Sequence, residues 1–430
     1  MCLVSLNLRS MSIGVAPVLS LIREDFAISY AQAGVLFALP IAMMGVWAEP
    51  GRRLVDRLGP WRAVALSLAL IVIGGGLRAV VPDYWPLLLL TGVFGAGIGL
   101  AQPSLPRLVA QWFPTRRALA TGIYSAGLTG GAVIAASVTA PLLPVMGALS
   151  WRGTCLVWAA FACLSLIVWV ACGPRGEPNP PGPPSLPGKG GAGSAGDGAA
   201  EGAPTPGAAG TEASAGPANT SAPPSFVGKG AGGLGNPPPV WRDKLAWLIA
   251  LLFLLQSLAF YQLNGWLPSY YQELGLSLGA ASVPLAVFNL ASLPCNLLAS
   301  YWSDRVGRRR PFVALAGLLL LAGMAGLLLA PLQPAWLWAA LIGGGIGVAF
   351  TMALALPTDL LDPRRAGPTV SLMFTVGYTG AIVSPLLAGV LRDALGSFEV
   401  AFLPTVATGL GMLVIALALP ETARGLNPAH

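Results

Sequence analysis

Long apolar runs, broken by short polar joints, set the pattern of this chain. The runs are about 20 residues long, the length an α-helix needs to cross a lipid bilayer. They predict spans at 2–22, 30–50, 62–81, 85–107, 117–145 and 150–173, then at 244–272, 280–303, 311–331, 335–358, 366–391 and 398–419. The expected fold is therefore all-α and integral to a membrane, with twelve transmembrane helices. The first run lacks the charged start and small-residue cleavage site of a signal peptide, and Arg9 interrupts it, so it is expected to remain as a helix.

Composition points the same way. Hydrophobic residues make up 55% of the chain and charged ones 10%, and the mean hydropathy is +0.72. A soluble domain averages roughly 25% charged residues. The net charge of +7 would suit nucleic acid, but the arginines sit in short joints between spans. There they set orientation, because such joints stay on the cytoplasmic side; the bilayer is the expected partner and nucleic acid is not. One set of alternate joints holds Arg52, Arg53, Arg57, Arg62, Arg107, Arg116, Arg117, Arg305, Arg308, Arg309, Arg310, Arg364 and Arg365. The opposite set holds Arg23, Arg78, Arg152 and Arg392. The first set is expected in the cytoplasm, with both termini inside and the protein in the inner, or plasma, membrane.

The joints also reveal a repeat. Asp56-Arg57-Leu58-Gly59 follows one apolar run and Asp304-Arg305-Val306-Gly307 follows another. Gly95-x-Gly97-x-Gly99 matches Gly343-x-Gly345-x-Gly347 at the same offset, and Tyr124 to Gly127 with Gly130 matches Phe374 to Gly377 with Gly380. Two parallel six-helix halves are the layout of one large class of transporters. Nucleotide binding is a poor reading of these glycines, which lie inside membrane runs with no strand before them. Between the halves, 173–240 is built of Gly, Pro, Ala and Ser and holds almost no large apolar residue. Such a stretch buries no core and is expected to be a disordered tether; a regulatory segment is the sharper alternative. The domains are then 1–173, a linker at 174–243, and 244–430.

Asp56-Arg57-Leu58-Gly59 and Asp304-Arg305-Val306-Gly307-Arg308-Arg309 resemble the loop signature of the major facilitator superfamily. That resemblance covers all twelve spans and implies the major facilitator fold, a solute site between the halves and alternating access. It also implies that Asp56, Arg57, Asp304 and Arg305 latch the cytoplasmic side. A narrower resemblance is to the cyanate/nitroimidazole transporter family. Its marks are Asn7-Leu8-Arg9, Arg78, Tyr261, Trp266-Leu267-Pro268, Gly275-Leu276-Ser277 and the stretch from Gly377 through Pro385 to Gly389. The superfamily's fourth-helix arginine, due near Thr91, is absent, and so is an acid in the first span; both departures speak against proton-coupled drug efflux.

Candidate chemistry is sparse. Arg9 stands in an apolar span, where a charge is costly and is met by a cavity, a partner or an anion. Ser5 and Ser12 lie on its stripe, four before and three after. The rival reading is an arginine that snorkels to the interface. Ser257, Tyr261, Asn264 and Pro268 share one face of the seventh span, and Pro268 is expected to break that helix. Tyr124, Phe374 and Tyr378 are candidates for the wall of a solute path, or plain packing. Asn7 joins the substrate set through the Asn-x-Arg resemblance, and Gln102 is a weaker candidate. Glu24, Asp25, Glu273, Asp393 and Glu399 read as solvated charges.

Cys2, Cys155, Cys163, Cys172 and Cys295 show no metal spacing, and the one histidine is His430, the last residue. No cofactor or metal is expected. An intramembrane enzyme would need a histidine or a pair of acids at membrane depth, and the spans hold neither. The expected function is secondary transport of a small polar or anionic solute, cyanate-like or a nitroheterocycle by resemblance, with a coupled ion as a possible partner. The alternatives are an efflux transporter of the same fold and a sensor that does not transport.

Overall fold

The computed structural model describes residues 1–113, 117–172 and 240–420. The tether expected between the halves lies, apart from its last residues, outside them. Among the described residues every regular element is a helix. In chain order these are α1 (Cys2–Ile13), α2 (Leu19–Asp25), α3 (Tyr30–Val46), α4 (Ala48–Leu58), α5 (Pro60–Leu77), α6 (Tyr84–Trp112), α7 (Arg117–Met146) and α8 (Ser150–Ala171). There follow α9 (Lys244–Glu273), α10 (Leu278–Val306), α11 (Arg310–Leu329), α12 (Ala335–Leu360), α13 (Pro363–Leu395), α14 (Phe398–Ala401) and α15 (Leu403–Ala418).

Ten of the helical segments among the described residues are long and apolar enough to cross a membrane, or eleven when the bent pair α3–α4 is one span. One of the ten, Gly127–Ala171, is 45 residues long and contains the later part of α7 and all of α8. Trp158 Nε1 donates to Thr139 Oγ1 at 3.1 Å across the intervening joint. The two helices therefore fold back on each other as a hairpin, which makes the spans twelve. In the first span, Pro17 has no N–H to bond back to Ile13, and the helix breaks into α1, a short 3-10 turn and α2. Pro268 does not act in that way. α9 continues unbroken from Lys244 to Glu273, because close neighbours on every side hold a helix that has lost one bond.

The charged joints are shorter than their sequence suggests. Asp56 and Arg57 lie in the last turn of α4, and Asp304 and Arg305 in the last turn of α10. Only a few residues turn the chain, hinged at Gly59 (φ 79°) and Gly307 (φ 69°), a conformation glycine adopts freely.

The glycine ladders explain how the halves come to be alike. A Cβ on Gly343 or Gly347 of α12 would lie 2.1 or 2.5 Å from backbone oxygens of α10, whereas one on Gly345 would meet α11 at 2.7 Å. In α6, Gly95 and Gly99 press on α3, and Gly97 presses on α5, with a Cβ at 2.8 Å from the Ser67 carbonyl. Each ladder thus seats two neighbours at backbone distance, on the same alternating positions in both halves. Gly127 and Gly131 of α7 fit α1 as Gly377 and Gly380 of α13 fit α9. Between the halves, α3 packs on α13 and α7 on α10. Gly34 meets the Pro385 carbonyl, and Gly389 meets that of Tyr30, closely enough that neither tolerates a Cβ.

Candidate functional site

Arg9, Tyr124, Tyr261, Phe374 and Tyr378 come from α1, α7, α9 and α13, two helices of each half. All five are half-buried. The Arg9 guanidinium lies over the Phe260 ring, 5.2 Å from its centroid, an arrangement that stabilises a cation on an aromatic face. Tyr124 and Tyr378 are within electrostatic reach of Arg9, and Tyr261 is within reach of Tyr378. Phe374 stacks on Tyr378 at 6.0 Å, one helical turn away, and meets Phe253 edge-on at 5.2 Å. Phe260 and Tyr261 meet edge-on at 5.0 Å. Among the described residues Arg9 has no carboxylate partner. The cluster is one cation and three phenols in an aromatic frame between the halves.

Two other candidates turn away from it. Asn7 donates to Ser165 of α8 and to the Leu3 carbonyl, so its amide ties α1 to α8 inside the first half. Asn264 donates to the Phe260 carbonyl and accepts from Asn289 of α10 at 3.0 Å, fully buried in the second half. Ser5 shares the stripe of Arg9 one turn away on α1, but its hydroxyl bonds the carbonyls of Met1 and Cys2 and abuts Gly127. Ser257 is buried beside Gln256. Arg78 is buried within the first half, over the Phe94 ring at 4.7 Å. The Gln102 side chain lies outside the described residues.

The signature acids behave differently from each other. Asp304 pairs with Arg309 at 2.5 Å, and Arg309 reaches Asp359 at 2.7 Å and the Ser303 hydroxyl. This three-way contact joins the end of α10 to the end of α12, both in the second half. Burial works against the Arg309 charge, but its bonds to Asp359 and Asp304 outweigh that and raise its pKa above the ordinary arginine value. Arg305 instead donates to Tyr301 on the exposed side of its own helix at 3.0 Å. Asp56 pairs with Arg52 one turn back at 3.1 Å, and Arg57 is exposed.

At the opposite end of the bundle the two halves are tied by groups that sequence reasoning read as solvated. The Asp393 carboxylate of α13 accepts from the backbone N–H groups of Tyr30 and Ala31 at 2.9 and 2.7 Å. It caps the N-terminus of α3, where a negative charge is favoured by the helix dipole. Glu273 of α9 accepts from the Tyr30 hydroxyl and forms a bidentate pair with Arg392 at 3.0 Å. Arg23 lies over the Tyr30 ring at 4.2 Å. A signal for this tie was present: Pro385, Gly389 and Asp393 fall at steps of four and so share one face of α13.

The chain matches the family model of the Major Facilitator Superfamily, over residues 1–385 and 271–429. It belongs to that superfamily. The fold and the repeat follow from membership, and the protein is a secondary transporter. It is 28% identical to the cyanate transport protein CynX of Escherichia coli over 96% of this chain and 94% of that protein. It is 26% identical to the 2-nitroimidazole transporter of Escherichia coli, over 96% of this chain and 93% of that protein. Among solved structures it resembles a bacterial homologue of the human lysosomal transporter Spinster in an inward-facing, occupied conformation. The TM-score is 0.69 at 17% identity, covering 96% of this chain and 93% of the other.

Proposed function

We propose that the protein carries a small solute with an anionic or electron-rich acceptor group across the inner membrane, and that Arg9 binds it. The observation that carries this reading is the guanidinium of Arg9 between the halves, over Phe260 and without a carboxylate among the described residues. An arginine fork in a low-dielectric setting binds an acceptor strongly, and a bound anion would offset the cost of the charge. Tyr124, Tyr261 and Tyr378 supply hydroxyl donors around it, and Phe374 and Phe260 supply flat apolar walls. Such walls suit a linear anion such as cyanate or a planar nitroheterocycle, the solutes named for the two relatives above.

In this reading the arginine-rich end, with Asp304, faces the cytoplasm, and the stretch outside the described residues tethers two domains that rock about the solute. With the Asp393 end tied, the solute site communicates with the Asp304 end. The solute crosses unchanged and no bond is made or broken, so the protein is no enzyme. No ATP-binding motif occurs in the sequence, and gradients of solute or a coupled ion supply the energy. Flux of radiolabelled cyanate and 2-nitroimidazole into vesicles containing the purified protein tests the reading. Uptake no faster than into protein-free vesicles, for either solute, would sink it.

A further inference from the structure

A polar cavity of about 140 Å³ lies away from the Arg9 cluster, at the Asp393 end, between α2 and α3 of one half and α9 of the other. Ser269 and Gln272 of α9 and Arg23 of α2 help to line it. Ser269 is only 4% exposed, yet its hydroxyl has no hydrogen-bond partner, and neither has the buried Nε2 of Gln272. The Gln272 amide is oriented by its other end, since Oε1 accepts from Ser20 at 2.5 Å. Buried donors are nearly always satisfied, so two orphans beside one cavity call for an occupant with acceptor atoms. Of the two carboxylates there, Glu273 is engaged by Arg392 and Tyr30, and Glu24 is exposed. Neither presents a free buried charge that would repel an anion. The cavity has room for a small linear or planar solute.

We propose that this cavity is a second binding site for the transported solute, at which Ser269, Gln272 and Arg23 donate to its acceptor atoms. The site rests on the functional reading above but uses none of the same residues. Because it is lined from both halves, its occupant bridges them while the Asp393 end is tied.

Equilibrium dialysis of radiolabelled cyanate and 2-nitroimidazole against the purified full chain tests this. The expected result is two bound molecules per wild-type chain for at least one probe. Arg9→Gln should retain one cyanate, and should bind 2-nitroimidazole about tenfold more weakly at the Arg9 site only. Gln272→Glu, which keeps the acceptor for Ser20 but replaces the orphan donor with a carboxylate oxygen, should also retain one, and Ser269→Ala should weaken that same site about tenfold. A single wild-type site that Arg9→Gln removes and Gln272→Glu leaves untouched would overturn the second site and leave the functional reading standing. Loss only in Gln272→Glu would support the second site and reject Arg9. No binding of either probe to wild type would reject both.

Discussion

Asp393 caps the first turn of α3 from the other half of the molecule, with its two oxygens at 2.9 and 2.7 Å from the N–H groups of Tyr30 and Ala31. A hydrogen bond to a charged group contributes about 1.5–3 kcal/mol, and this pair exists only while the halves are together at that end. The contact therefore biases the equilibrium between states rather than the stability of either half. Asp393→Asn removes the charge and one acceptor oxygen. It should shift the population toward an open Asp393 end by about tenfold or more, at 1.4 kcal/mol per tenfold. A reporter cysteine at Ser20, in a background without the five native cysteines, would label correspondingly faster with a membrane-impermeant reagent. Unchanged labelling would mean that the close glycine contacts alone hold that end.

Arg309 should matter more to the second half than Asp304 does. Its side chain is 11% exposed and that of Asp359 10%, whereas Asp304 is 64% exposed. Breaking a buried pair from one side costs about 3–5 kcal/mol, because the remaining charge stays buried, while an exposed pair contributes at most about 1 kcal/mol. Arg309→Gln should lower the thermal unfolding midpoint in detergent sharply, and Asp304→Asn only slightly. Equal effects would show that Asp304 acts through some other contact.

The glycine ladders give a steric prediction with an internal control. A Cβ on Gly343 would fall 2.1 Å from the Phe288 carbonyl oxygen, a backbone atom that yields only if α10 and α12 separate. On Gly279 of α10 it would meet nothing within 4 Å. Overpacking costs about 1–3 kcal/mol, so Gly343→Ala should destabilise. Gly279→Ala should be neutral or stabilise by up to about 1 kcal/mol, through helix propensity. Monodisperse yield after mild heating would separate the two, and equal yields would contradict the packing.

Much of this architecture was legible in the sequence, for identifiable reasons. Apolar length marks the spans, and the recurring glycines mark where backbones must touch, so the twelve helices and the repeat needed no coordinates. Motif and periodicity point to Arg9 and to Tyr124, Tyr261, Phe374 and Tyr378, and these five are neighbours in space. Asn7 and Asn264 were drawn the same way, yet their amides satisfy Ser165 and Asn289 inside each half. A helix surrounded by protein and lipid is apolar on nearly every face, so hydropathy does not tell which face meets the solute. Asp393 escaped for a different reason. A carboxylate near a helix end reads as solvated until the partner, α3 in the other half, is known.

The linker prediction rests on composition alone. Deleting 176–235 should leave insertion and flux nearly unchanged if the stretch is only a tether. A flexible chain spans about 5–6 Å times the square root of its length, so the few residues left on each side must still bridge the gap between α8 and α9. Restoring part of the length with a Gly/Ser stretch controls for reach. Flux lost at normal expression and not recovered by that stretch would assign the segment a specific role.

Arg9 is the decisive position. Its guanidinium offers a planar fork over the Phe260 ring, and two charge-assisted bonds to an anion would contribute roughly 3 kcal/mol or more. Arg9→Lys keeps the charge but loses the fork and the flat stacking surface, and should raise the apparent KM for cyanate about tenfold. Arg9→Gln loses the charge as well and should raise it about 100-fold or more. It should still insert and purify normally, since removing a charge from an apolar span carries no penalty of its own. A neutral nitroheterocycle offers only a hydrogen-bond acceptor, so 2-nitroimidazole transport should suffer about tenfold at most in Arg9→Gln. The ratio of the two losses is the informative quantity, because a general distortion of α1 would lower both alike. Wild-type KM values for both solutes in Arg9→Gln would make Arg9 a snorkelling residue and move the solute site elsewhere.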